Sequence, residues 1–312
     1  MRRIIISIFL VITALSIGQY LPPPSHAVSF NKTLIPIPTF PPPVSKLTTD
    51  FPISRNLPPP EISGKHIFVM DRQSKLVLFS KGADDQIYPA STTKMMTALV
   101  ASGHYPLDSL ITVTRTYPDG VDIGLQPGEK VTVENLLYAM LIQSANDAAE
   151  VLAENYCLSS KLSPDGGECG RQKFVEAMNQ MAGNLNLHNT HFKNPTGLDE
   201  AGHYSSASDL TRLADRLVEN LHLRRIVSTE NAVIASADFS TLHPVTNVNE
   251  LLGKVPGVLG IKTGFTDLAG ESLVILVNRD GHEVIISLMD SQDRFSEATL
   301  LIDWVYSNFI WN

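Results

Sequence analysis

Strand-like patterning lies at the two ends of a long helical middle, and this arrangement constrains the fold more than any other feature of the chain. Lys65–Asp71 (KHIFVMD) and Lys75–Ser80 (KLVLFS) are β-rich runs joined by a short polar turn. Far downstream, Gly257–Phe265 (GVLGIKTGF), Glu271–Asn278 (ESLVILVN) and Glu283–Met289 (EVIISLM) make three more. The last two are joined by RDGH, whose Asp280-Gly281 pair suits a tight hairpin. A two-stranded hairpin alone is marginal in water, so early and late strands must share one sheet to bury their apolar residues. The pattern predicts an α+β (α/β) fold: a five-stranded, mainly antiparallel sheet flanked by helices, with a helical insertion between its second and third strands. The 3.6-residue periodicity of Phe295–Phe309 predicts a closing helix that packs Leu300, Leu301, Trp304 and Val305 on the sheet.

Upstream the composition changes. Of the 20 prolines, 12 fall between Pro22 and Pro60, which removes backbone donors and favours extended conformations. Residues 28–61 therefore read as a semi-rigid tether, and residues 62–312 as the folded body. Ahead of the tether, Arg2-Arg3 precedes an apolar run, Ile4–Ile17, shorter than the about 20 residues that a membrane-spanning helix needs. Residues 1–27 read as an export signal, with small residues that suit cleavage after Gly18 or after Ala27. Membrane contact is expected only where this segment stays uncleaved.

Export also bears on the two cysteines, Cys157 and Cys169, which bracket a Pro-Asp-Gly-Gly loop. In an oxidising compartment a disulfide closing that loop contributes about 3 kcal/mol; two unpaired thiols are the alternative. A net charge of -8 without basic blocks argues against a nucleic-acid partner. His188 and His191 have metal-like spacing but no third ligand is evident, so neither a metal nor another cofactor is expected.

Three short constellations carry chemistry. Ser91 and Lys94, in YPASTTKMMTALV, are three residues apart and share a helical face. The apolar residues that follow imply burial, and a buried lysine loses its proton readily enough to act as a base toward a serine. A second Ser-x-x-Lys match, Ser29 to Lys32, lies in the tether, where no helix aligns the side chains. Ser144 and Asn146, two apart in SAN, can serve one cleft only across a break between helices; there they offer a proton-relaying hydroxyl and an amide for a peptide backbone. Lys262-Thr263-Gly264 lies on a strand whose glycines permit close approach of an extended peptide, and the lysine attracts a carboxylate.

These motifs, in this order, occur together in penicillin-binding proteins and class A β-lactamases. From about residue 62 onward the chain resembles the low-molecular-mass penicillin-binding proteins of the D-alanyl-D-alanine carboxypeptidase type, also in FVEAMNQMAGNLNLHNTHFKNPTGL, HYSSASDLTRLA and GIKTGFTDLAGESLV. The resemblance implies a penicillin-binding/β-lactamase-like fold and a serine D,D-carboxypeptidase that removes the terminal D-alanine of peptidoglycan stem peptides and is acylated by β-lactams. It implies Ser91 as nucleophile, Lys94 as base, Ser144 as proton relay, and Asn146 on the substrate backbone. Lys262 and Thr263 would receive the terminal carboxylate, and the backbone N–H groups of Ser91 and Phe265 would form the oxyanion hole. Gly264 belongs to the same substrate edge. Arg294, in DSQDRFSE, either helps to bind the carboxylate or pairs with Asp290 or Asp293. His203 and the Asn194–Gly197 turn are expected to be structural.

Larger members of that family carry a second, β-rich domain, which is not expected here because the sequence stops soon after the closing helix. That leaves a D,D-endopeptidase as the close alternative. A β-lactamase is disfavoured because no Glu-x-x-Leu-Asn segment is found, and intact Ser91, Lys94, Ser144 and Lys262 disfavour a catalytically silent wall-binding protein. The expected location is the extracytoplasmic cell-wall space of a bacterium.

Overall fold

A computed structural model describes residues 51–157 and 170–311; the export segment, the Ser29–Lys32 pair, the tether up to residue 50 and Cys169 lie outside them. The elements run β1 (Pro52–Ser54), β2 (His66–Asp71), β3 (Val77–Lys81), α1 (Lys94–His104), β4 (Leu110–Thr112), β5 (Lys130–Thr132), α2 (Val133–Ile142), α3 (Asn146–Glu154) and α4 (Arg171–Asn184). There follow α5 (Ala207–Glu219), α6 (Leu221–Val227), β6 (Asn231–Ala235), β7 (Leu242–Thr246), β8 (Val258–Thr266), β9 (Gly270–Arg279), β10 (His282–Ser291), α7 (Arg294–Asn308) and β11 (Phe309–Trp311). The central sheet has five strands in the order β3-β2-β10-β9-β8, antiparallel throughout, with the helical insertion between β3 and β8 as the sequence predicts.

Alternation along each strand divides the core in two. Ile67, Val69, Leu273, Ile275, Val277, Val284, Ile286 and Leu288 meet Ala298, Leu301, Ile302 and Val305 of α7. Phe68, Met70, Val274, Leu276, Ile285 and Met289 meet the helical insertion. Both faces are covered, which explains why these strands read as nearly continuous apolar runs. In α5, the buried Leu210, Leu213, Ala214 and Leu217 recur at helical spacing, and Ser206 caps its start by accepting from the Asp209 N–H. β8 is an edge strand of the sheet, which leaves one side of its backbone free for a ligand.

Two expectations are corrected. The folded body begins about ten residues before Ile62, because β1 pairs antiparallel with β11. The Arg55 N–H donates to the Asn308 carbonyl at 2.7 Å, the Leu57 N–H to Asn308 Oδ1 at 2.8 Å, and the Trp304 indole N–H to the Leu57 carbonyl at 3.2 Å. A two-stranded ribbon tolerates Pro52, whose missing donor costs nothing at an edge, and its partner lies at the other end of the chain, where no local pattern announces it. In α7 the helical phase differs from expectation. Ala298, Leu301, Ile302 and Val305 are buried, whereas Leu300 is 50% exposed and Trp304 only half-buried. The small ribbons β4–β5 and β6–β7 also escape the sequence pattern, being only three to five residues long.

One buried carboxylate ties the upstream strap to α7. Glu297 accepts from the Ser63 N–H at 2.5 Å, the Gly64 N–H at 3.1 Å and the Ser291 hydroxyl at 2.5 Å. Glu297→Ala leaves the two backbone donors without a partner and is expected to lower the unfolding free energy by about 3 kcal/mol. Urea denaturation measures this as a lower midpoint at unchanged slope; an unmoved midpoint would show that water replaces the carboxylate at no cost.

Candidate active site

Ala90–Thr93 form one turn of 3₁₀ helix that runs directly into α1 at Lys94. In a 3₁₀ turn residues i and i+3 eclipse, so Ser91 and Lys94 stack. Their separation is 2.9 Å from Nζ to Oγ, and Nζ lies 2.7 Å from the Thr196 carbonyl. Lys94 is completely buried, and its pKa falls well below the usual 10.5. Burial is the main cause and the charge of Lys262 the next; Glu150 and Asp147 pull the other way without prevailing. A neutral Nζ retains one lone pair. With a donor spent on the Thr196 carbonyl, that lone pair is free to accept the Ser91 proton.

The turn is held from three directions. The Asn194–Gly197 segment presses on it so closely that a Cβ on Gly197, at φ +89°, would lie 1.8 Å from the Ala90 carbonyl oxygen. On β8, a Cβ on Gly264 would lie 3.0 Å from Ala90 Cβ and 3.2 Å from the Ser91 nitrogen. Behind the turn, His203 Nδ1 accepts from the Lys193 N–H at 3.3 Å, which places the ring proton on Nε2, 2.9 Å from Thr93 Oγ1. Burial, assisted by His191, pushes His203 down to about 4, so the ring is neutral. Ala90 itself has φ +47°, a strained conformation for a residue with a Cβ, immediately before the reactive hydroxyl.

Ser144 lies at a break between helices: α2 ends at Ile142, α3 starts at Asn146, and Ser144 adopts φ +68°. It is buried, and its hydroxyl makes no hydrogen bond to another described residue. Asn146 donates through Nδ2 to the Asp119 carbonyl at 2.8 Å, which leaves Oδ1 as a free acceptor. Lys262 is buried on β8, and among the described residues its Nζ reaches only the carbonyl of Thr263, at 3.0 Å. Burial, and then the charge of Arg294, lower its pKa to about 7. Thr263 is buried beside it, while the Phe265 side chain is 60% exposed.

Arg294 does not form the ion pair offered as an alternative from sequence. Its Nη1 donates to the Gly264 carbonyl at 2.8 Å, while Asp290 pairs with Lys65 and Asp293 caps α7. The Asn194–Gly197 turn is likewise more than structural, since Thr196 holds Lys94. That role rests on a backbone carbonyl and so has no side-chain signature; the glycine after Asn-Pro-Thr is its only sign in the sequence. Cys157 is disulfide-bonded, whereas Cys169 lies outside the described residues. His191 bridges to Tyr204 through the backbone and packs on its ring.

A family model described as D-alanyl-D-alanine carboxypeptidase matches residues 54–293. The chain is 32% identical over 263 residues to the D-alanyl-D-alanine carboxypeptidase of Streptomyces sp. (strain K15), covering 80% of this chain and 89% of that one. It is 31% identical over 255 residues to the D-alanyl-D-alanine carboxypeptidase DacF of Bacillus subtilis (strain 168), covering 78% of this chain but only 62% of DacF. Among solved structures it is similar to the Streptomyces K15 DD-transpeptidase, with a TM-score of 0.72 and 31% identity over 80% of this chain and all of the other.

Two outcomes follow from the geometry. Gly197→Ala places a methyl group against the Ala90 carbonyl and is expected to slow acylation of Ser91 at least 100-fold while lowering the melting temperature; wild-type kinetics would show that the turn does not depend on this close approach. The pH dependence should have two limbs. Acylation rises as Lys94 loses its proton, well below 10.5. The second-order rate for a carboxylate-bearing acyl donor then declines above about pH 7, as Lys262 loses the charge that attracts it. The amide of the same donor should keep the rising limb alone; superimposable profiles for the two would contradict these assignments.

Proposed function

The chain belongs to the D-alanyl-D-alanine carboxypeptidase family and is a serine-type D,D-peptidase, and we propose that it removes the terminal D-alanine from peptidoglycan stem peptides. The observation that carries this reading is the 2.9 Å contact between the Ser91 hydroxyl and a fully buried Lys94, whose pKa lies well below the usual 10.5.

In this mechanism Ser91 Oγ attacks the carbonyl between the two D-alanines and passes its proton to Lys94 Nζ. Charge developing on the carbonyl oxygen is met by the backbone N–H groups of Ser91 and Phe265. Ser144, whose hydroxyl bonds no other described residue, conveys the proton from Lys94 to the departing amine. Terminal D-alanine leaves, and water hydrolyses the ester. The free Oδ1 of Asn146 accepts an N–H of the stem peptide, which lies extended along the open edge of β8.

Lys262 and Thr263 receive the terminal carboxylate. Arg294 acts from behind: bonded to the Gly264 carbonyl, it fixes the strand and adds positive charge beside Lys262. The charge of the bound carboxylate restores the proton to Lys262, so affinity and ionisation support one another. A β-lactam places its ring amide at the same point, but its leaving group stays tethered, and the ester persists.

We place this chemistry outside the cytoplasm, exported by residues 1–27 and separated from the membrane by the proline-rich tether. The Arg2-Arg3 and Ile4–Ile17 pattern and the oxidised state of Cys157 support this location. Fractionation of cells producing the full chain tests it, and recovery in the cytoplasmic fraction would contradict it.

Mass spectrometry after mixing with penicillin should show one adduct, on the peptide containing Ser91, and a stem pentapeptide should yield free D-alanine. Lys94→Met is expected to slow acylation by about 10²–10⁴-fold. An adduct on another residue, or turnover of a crosslinked dimer without release of D-alanine from the pentapeptide, would overturn the carboxypeptidase reading.

A further inference from the structure

Beside the catalytic cleft lies a cavity of about 360 Å³ to which the mechanism assigns no occupant. Asn146 and Thr196 line it, so it opens directly from the residues that hold the stem peptide and Lys94. The rest of its wall sets four charged residues, Arg115, Asp119, Glu150 and Arg171, beside uncharged ones such as Tyr117 and Leu198. Arg171 grips Glu150 with Nε and Nη2 at 2.8 and 3.2 Å. Arg115 donates from Nε and Nη2 to Glu154, whose other oxygen accepts from Thr114 and Tyr117. Each guanidinium therefore keeps its Nη1 edge free of partners among the described residues. Glu150 keeps unused lone pairs, and the Asp119 carboxylate forms no ion pair or hydrogen bond with another described residue. Acceptors and donors of opposite charge thus line one pocket, which includes Asn146 and does not include Lys262.

We propose that this cavity binds the side-chain end of the diamino acid that precedes the two D-alanines, and that it selects a side chain ending in an amino group and a carboxylate on one carbon over one ending in an amine alone. The inference rests on the stem-peptide reading above and names the substrate class within it. An α-amino-acid terminus satisfies both signs of charge: its carboxylate meets the free guanidinium edges and its ammonium meets Glu150 and Asp119. A lysine-type terminus satisfies only the acidic side and leaves the two guanidinium edges to solvent. Paired charges of this kind give discrimination because the wrong ligand forfeits charge-assisted hydrogen bonds in a partly enclosed site.

The test uses the full chain and three pentapeptides that differ only at the third residue: meso-diaminopimelate, its side-chain amide, and lysine. D-Alanine release should favour diaminopimelate over lysine by about 10- to 100-fold in kcat/KM, carried mainly by KM, with the amide falling close to lysine. In Arg115→Gln the preference should shrink to less than about 3-fold. Arg115 suits this test because its ion-pair partner is Glu154 and not Glu150, whose charge reaches Lys94. A lowered melting temperature in this variant leaves the three-peptide comparison on the wild-type protein to decide. Equal cleavage of all three peptides, a preference for lysine, or a preference that survives in a folded Arg115→Gln protein would overturn the inference and leave the carboxypeptidase reading intact. Release of D-alanine from none of the three would overturn that reading instead.

Discussion

A lysine amine enclosed by protein is the constraint on which the rest of the structure depends. An unpaired ammonium taken out of water costs several kcal/mol even after relaxation, and among the described residues Lys94 has no ion-pair partner to offset it. Glu150 and Asp147 favour its charge from a distance, but burial and the positive Lys262 outweigh them. The conflict therefore falls on the proton, which the side chain holds much less tightly than an exposed lysine does. What would be a defect in an ordinary core becomes a base 2.9 Å from a serine hydroxyl. Lys262 answers a similar penalty differently. With a pKa of about 7 it sits near the balance point, and an incoming carboxylate tips it to the charged form.

The fold serves this site by bringing distant segments onto a single peptide unit. The Ala90–Ser91 turn, the Asn194–Gly197 turn and strand β8 meet where Gly197 leaves no room for a Cβ and Gly264 very little. None of these contacts is local, and each rests on a different part of the molecule: α1 on the helical core, β8 on a sheet buried on both faces, and the intervening turn on Asn194, whose Oδ1 accepts from the Thr196 hydroxyl and the Gly197 N–H. Two of the residues with strained backbone belong to this site. Ala90 and Ser144 both hold positive φ, which only a rigid surrounding structure can sustain.

Much of this is legible in the sequence, for identifiable reasons. The five sheet strands are long, apolar and punctuated by turn residues, so their pattern survives without knowledge of their partners. The Ser91–Lys94 spacing and the helix break required at Ser144 follow from helical geometry alone. What stays hidden depends on backbone or on distant pairing. The grip of Thr196 on Lys94 is a carbonyl, and β1 finds its partner at the far end of the chain, so neither leaves a side-chain pattern. Leu300 misleads because one residue of helical phase separates it from the buried Leu301. The charged cavity beside Asn146 gathers Arg115, Glu150 and Arg171 from separate segments, and it becomes visible only when those segments are folded together.

The measurement that bears most directly on the account is the ionisation of Lys94 itself. With lysine labelled at Cε, an NMR titration, assigned by comparison with a Lys94→Met protein, follows that one amine. A resonance that titrates far below 10.5, or stays in its neutral position throughout the range in which the protein is folded, is the predicted result. Titration near the ordinary lysine value would mean that Lys94 is charged at neutral pH and leaves Ser91 without its base.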